Sequence, residues 1–135
     1  MEFVKTERGA RKLLHEGFAY TIDRKHGDTT YWRCEKQSEC GARLKTINDV
    51  IQGNLSRHYH PPNDTRNAAL KVVNEIKQRA CETEEVTGCL VDNATCTLPL
   101  SVAGALPKKS SLLRTVNRKR SVQENEDLKA IAHNL

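Results

Sequence analysis

Cys34 and Cys40 are separated by five residues, and after a further seventeen residues the chain reads His58-Tyr59-His60. Thiolate sulfur and imidazole nitrogen are donors for a borderline-soft divalent cation, and two of each make the tetrahedral set that zinc prefers. Four protein ligands leave no open coordination position, so such a site holds structure together and does not activate water. Taken singly, each of these residues is more often a core thiol or a surface imidazole. Their joint placement argues for one structural Zn2+ held by Cys34, Cys40, His58 and His60. No nucleophile is paired with a base anywhere in the sequence, so the residues make no case for an enzyme or a small-molecule substrate.

A β-framework is expected to position these ligands. Residues 17–24 alternate, with Phe18, Tyr20 and Ile22 on one face and Ala19, Thr21 and Asp23 on the other. His26-Gly27-Asp28 supplies turn chemistry, and residues 29–34 are rich in β-branched and aromatic side chains. A third strand is read over 42–47. After Asn48-Asp49 and Gly53-Asn54, a last short strand over 55–60 is stopped by Pro61-Pro62. In a strand, residues two apart share a face, so His58 and His60 would present both imidazoles on one side with Tyr59 turned away. Cys34 ends one strand and Cys40 opens the next, so the five-residue loop between them can bring the two thiols together. Histidines two apart do not suit the ββα finger, whose pair sits three to five apart on a helix. The expected fold is a small zinc-stabilised antiparallel β-sheet of about four strands.

Composition points the same way. The large apolar side chains Phe18, Tyr20, Ile22, Tyr31, Trp32, Leu44, Ile47 and Tyr59 all fall within residues 18–60. A module of this size rarely stabilises itself by burial alone, and a metal or disulfides usually make up the difference. Five cysteines are an odd number, which fits poorly with a closed disulfide framework. Cys81, Cys89 and Cys96 have no neighbouring histidine and read as free thiols. Nothing approaches the roughly 18 consecutive apolar residues of a membrane span, and Met1 to Lys12 is too charged for a secretory signal. A soluble protein in a reducing compartment, with no membrane partner, is the expectation.

Beyond residue 60 the period changes. Asp64 is expected to cap a helix over 64–80, on which Ala69, Val72, Val73, Ile76 and Ala80 recur at helical spacing. Residues 81–105 read as a loose linker with some helical tendency, 106–120 as a basic segment that can form a helix, and 121–135 as a polar tail. The C-terminal region is therefore expected to be helical and partly disordered. The formal charge is +5, and residues 106–120 hold six basic side chains and no acid. A polyanion partner, or a nuclear import signal at Arg118-Lys119-Arg120, is compatible with that placement.

Phe18, the run Tyr31-Trp32-Arg33-Cys34, Cys40 and the His58-x-His60 pair resemble the FLYWCH zinc-finger domain, over about residues 3–60. That domain is similar in layout to the WRKY and GCM DNA-binding domains, also zinc-stapled antiparallel sheets. The resemblance implies a nuclear protein that binds double-stranded DNA, of transposon or transcription-factor lineage. Cytoplasmic residence is the alternative. Arg43 and Lys45 share a strand face opposite Leu44, and Arg24 and Lys25 end a strand, so these four are the candidate DNA contacts. The stretch 18–25 lacks the heptad with which WRKY domains read DNA, so sequence-specific readout does not carry over. The helix after His60, followed by Leu106-Pro107 and the basic run 113–120, is similar to the segment that precedes a Mutator-like transposase domain. Two other readings remain open. The sheet could be a zinc-stapled protein-interaction module, or the chain the N-terminal fragment of such a transposase.

Overall fold

Short turns whose residues accept positive φ punctuate the first half of the chain, and they divide it into hairpins. The computed structural model describes residues 2–6, 8–36, 38–53 and 56–133. It divides into two compact units, Met1–Asn67 and Ala68–Leu135.

The first unit is a six-stranded antiparallel meander in sequence order. Its strands are β1 (Glu2–Lys5), β2 (Arg11–His15), β3 (Phe18–His26), β4 (Thr29–Cys34), β5 (Arg43–Ile47) and β6 (Val50–Gln52). Glu16 and Gly17 join β2 to β3 with φ of 50° and 82°, and Asn48 and Asp49 join β5 to β6 with φ of 50° and 64°. Positive φ at both central residues is the type I′ pattern, whose twist matches that of the flanking strands. One face of the sheet carries the core: Leu13, Tyr20, Trp32 and Leu44 are buried together, with Phe3, Phe18 and Ile51 against them. The Trp32 indole N–H donates to Thr46 Oγ1 at 2.9 Å, so its one polar atom is satisfied within that core.

The sheet is thus larger than the expected four strands. Strand β2 escapes period-2 reading because Leu13 and Leu14 are both buried, on opposite faces. Strands β1 and β6 are too short to show a pattern. The expected strand over 55–60 does not form. Ser56, Arg57 and His58 have no regular structure, and Tyr59 and His60 lie in a bend. Leu55 lies outside the described residues. The sheet edge expected there is supplied by β6, which pairs with β5 directly across the Asn48-Asp49 turn.

The segment after His60 closes back on the β2–β3 hairpin. Gly17 O accepts from the Asn63 N–H at 2.7 Å, and the Asn67 side chain donates to Phe18 O at 3.1 Å. Glu35 receives Lys12 at 3.0 Å and is also paired with Arg66. Helix α1 spans Asp64–Glu82, so its first turn belongs to this unit. The cap is Asn63 and not Asp64: Asn63 Oδ1 accepts from the Arg66 N–H at 3.0 Å.

The second unit is helical. The rest of α1 is followed by α2 (Thr87–Thr95), α3 (Leu100–Ala105) and α4 (Lys109–His133). Val72, Ile76, Ala80, Leu90, Val91, Leu112 and Val116 form its core. The stretch 81–105 therefore holds two helices, and α4 continues through the expected polar tail as far as His133. Within the basic run, Arg120 is turned inward. Its guanidinium donates to Ala80 O at 3.2 Å and Thr83 O at 3.3 Å, where the end of α1 leaves carbonyls unpaired.

Candidate metal centre

Strand β4 delivers Cys34 on the core face, directly opposite Tyr20 of β3. Glu35 and Lys36, then Ser38 and Glu39, lie in turns, the Cys40 N–H donates to Lys36 O at 2.8 Å, and the Cys34 N–H donates to Ala42 O at 3.0 Å. This closed loop fixes both sulfurs, and both cysteines are buried. His58 and His60 come from the irregular segment after β6. They converge without strand alternation, through a bend that leaves Tyr59 between them 78% exposed.

The four donor atoms lie within 4.8 Å of one another. Cys34 Sγ is 3.1 Å from His60 Nε2, Cys40 Sγ is 3.4 Å from His58 Nδ1, and the two imidazole nitrogens are 3.4 Å apart. Bonds of about 2.0–2.3 Å to a tetrahedral zinc place its ligands roughly 3.3–3.8 Å from one another. The cluster is close to that spacing.

The imidazoles also show which nitrogen faces inward. His58 offers Nδ1 to the cluster, while its Nε2 lies 2.7 Å from the Tyr20 hydroxyl. His60 offers Nε2, and its Nδ1 lies 3.2 Å from Pro61 O. A carbonyl only accepts, so His60 Nδ1 carries the proton and Nε2 keeps its lone pair for a metal. An outer partner on the second nitrogen is the arrangement that orients metal-binding histidines. Phe18 holds the His58 ring from one side, stacked at 3.6 Å with an interplanar angle of 4°.

Burial and close neighbours set the protonation of the groups around the cluster. Burial, then the neighbouring thiols, pushes the Tyr20 hydroxyl up to about 12, so it stays a neutral phenol beside His58. Burial, with His60 close by, lowers His58 and favours its neutral form. Burial raises the Cys34 thiol. Burial also acts to raise Cys40, but the backbone N–H groups of Tyr59 and Ala42 outweigh it and bring Cys40 down. The donor set and its orientation fit zinc.

The four expected metal ligands are thus brought together. Sequence reading names Phe18 for its part in the family resemblance, Tyr20 as a strand residue and Pro61 as a strand stop, but none of the three as an outer partner of the ligands. Cys81, Cys89 and Cys96 are free and exposed, and they are not members of the cluster.

The four expected DNA contacts do not all gather. A bulge between Ile22 and Arg24 shifts the β3 register, so Arg24 pairs with Tyr31 and Lys25 with Thr30. Lys45 pairs with Tyr31 and Arg43 with Arg33 across the next ladder. Arg24, Tyr31, Arg33, Arg43 and Lys45 therefore share the face away from the core, while Lys25 lies on the other face beside Thr30. Arg24 sits 4.5 Å over the Tyr31 ring. Arg24, Tyr31, Arg43 and Lys45, with Asp23 and Gln52, border a shallow depression of about 200 Å³.

Residues 3–60 match the model of the FLYWCH zinc finger domain. FLYWCH-type zinc finger-containing protein 1 of Mus musculus is 38% identical over 63 residues, which are 46% of this chain and 9% of the relative. Its counterpart of Homo sapiens is 34% identical over 65 residues, 47% of this chain and 9% of the relative. The chain spans under a tenth of the length of these curated relatives. A matching sequence over 3–60 and a Cys2His2 cluster that could hold zinc identify residues 3–60 as a FLYWCH zinc finger domain.

Proposed function

We propose that this chain is a zinc-dependent duplex-DNA-binding protein, with one zinc ion held by Cys34, Cys40, His58 and His60. Bound zinc would supply cross-linking of β4, the following loop and the 56–60 segment, a structural role without catalysis. The observation that carries the DNA reading is the outer face of β3, β4 and β5. Four cations, Arg24, Arg33, Arg43 and Lys45, project there around Tyr31, and Asp23 is the single acid of that face among the described residues. Two interstrand spacings make that face about 10 Å across, comparable with a major groove of about 12 Å. Nuclear residence and a transposon or transcription-factor lineage belong to the same reading.

The test is binding of the zinc-loaded full chain to duplex DNA across a salt series. Lys45 and Arg24 lack acidic partners among the described residues. Neutralising both as Gln should lower the log–log salt slope by about 1.8. Binding that ignores salt, or no binding to any duplex, would count against this reading. One observation favours a protein partner instead: Tyr59 and Val50 are exposed at 78% and 57% on the same unit. A partner captured through Tyr59 without salt dependence would favour that alternative.

A further inference from the structure

The cations of the outer face are not equivalent. Arg43 Nη1 donates to Asp23 Oδ2 at 2.7 Å, and Arg33 Nη1 lies 3.8 Å from Asp23 Oδ1. Asp23 is the extra residue at the β3 bulge, which is why a carboxylate reaches this face among the arginines. The Arg43 side chain is nevertheless 64% exposed. Lys45, one strand position away on the same face, has no acidic partner among the described residues.

A guanidinium already bonded to a carboxylate has most of its charge answered locally, so it adds little to the release of counterions from DNA. It keeps its remaining N–H donors, and these are held in one plane. Fixed parallel donors suit a neutral acceptor pair, and guanine presents O6 and N7 side by side in the major groove. An unpaired ammonium has the opposite character: a mobile point charge that attracts phosphates and carries no sequence information.

Building on the DNA reading above, we infer that Arg43 reads a guanine edge, that Asp23 is its positioning residue, and that Lys45 contacts phosphate. This separates Arg43 and Lys45, which from sequence form one basic stripe.

The experiment selects duplexes from a randomised pool with the zinc-loaded full chain, then measures affinity and salt slope on the selected duplex and its single-base variants. Arg43→Lys keeps the charge and loses the fork. It should lose discrimination at one guanine by about 5- to 150-fold, with the salt slope unchanged. Replacing that guanine by 7-deazaguanine, which lacks the N7 acceptor, should reduce wild-type binding and leave Arg43→Lys unaffected. Asp23→Asn should weaken the same discrimination and steepen the slope by about 0.9, because Arg43 is then free to meet a phosphate. Lys45→Gln should lower the slope by about 0.9 equally on every duplex. Zinc content and Trp32 fluorescence are measured on each variant to show that it is folded. Salt-dependent binding with no base preference would overturn the inference and leave the DNA reading standing. So would a preference that survives both Arg43→Lys and Asp23→Asn. Absence of wild-type binding to any duplex would overturn both together.

Discussion

His58 is the residue at which the structure of the metal centre is most concentrated. One ring nitrogen faces Cys40 and His60, the other meets the Tyr20 hydroxyl at 2.7 Å, and Phe18 covers the ring face. The ligand identities were legible because cysteine and histidine are rare and their spacing constrains their geometry. The outer partners were not, since Tyr20 and Phe18 look like ordinary members of an alternating strand. Only the register Tyr20↔Cys34 shows that this phenol stands beside the cluster. Tyr20→Phe removes a single oxygen from that arrangement and leaves the ring packing in place. It is expected to weaken zinc binding by about 10- to 100-fold, as loss of an outer partner does at other metal sites. Competition with a chromophoric chelator measures this directly. Unchanged affinity in Tyr20→Phe would mean that His58 is oriented by packing alone.

At the scale of elements, hairpin geometry explains what could and could not be read. Strands β4 and β5 alternate between a buried and a more open face, so their patterns survive in the sequence, whereas β3 buries Ala19 and Tyr20 in succession and is exposed from Ile22 onward. Strand β2 is buried on both sides and shows no alternation. The 56–60 segment misled for another reason: side chains two apart can converge through a bend as well as through a strand. The β2–β3 turn also has a role that sequence does not announce. A Cβ on Gly17 would lie 2.6 Å from Pro62 Cβ and 2.8 Å from Asp64 Oδ1. The segment that follows the metal ligands is thus packed against the hairpin turn, with only a glycine between them. Gly9 has the same φ of 82° and nothing within 4 Å of a built Cβ, so it serves as the control. Gly9→Ala should cost about 1–2 kcal/mol, the penalty of a left-handed L-residue. Gly17→Ala should cost more, through the added clash. Urea unfolding of the zinc-loaded chain, followed by Trp32 fluorescence, compares the two. Equal losses would show that the 61–67 segment does not depend on this contact.

At the scale of the molecule, two cores of different kinds lie along one chain. The core cluster of the helical unit holds seven buried aliphatic and alanine side chains, and its periodicity in α1 was readable. Helices α2 and α3 were harder to foresee, because short helices of 9 and 6 residues show too few turns to establish a period. The β-unit closes its core with Leu13, Tyr20, Trp32 and Leu44, and Tyr20 links that core to the metal centre through His58. In modules of this size the free energy of metal binding, about 10–16 kcal/mol for structural zinc, is folding free energy. We propose that the four-ligand cluster, with zinc bound, holds the β-unit together. A zinc titration of the metal-free full chain, following bound metal and Trp32 fluorescence at once, reads this out. One equivalent of zinc should bind as Trp32 becomes buried, Cys81→Ser should behave identically, and His58→Ala should neither retain zinc nor bury Trp32. A metal-free chain whose Trp32 is already buried, or a His58→Ala variant that folds around a full equivalent of zinc, would rule that role out.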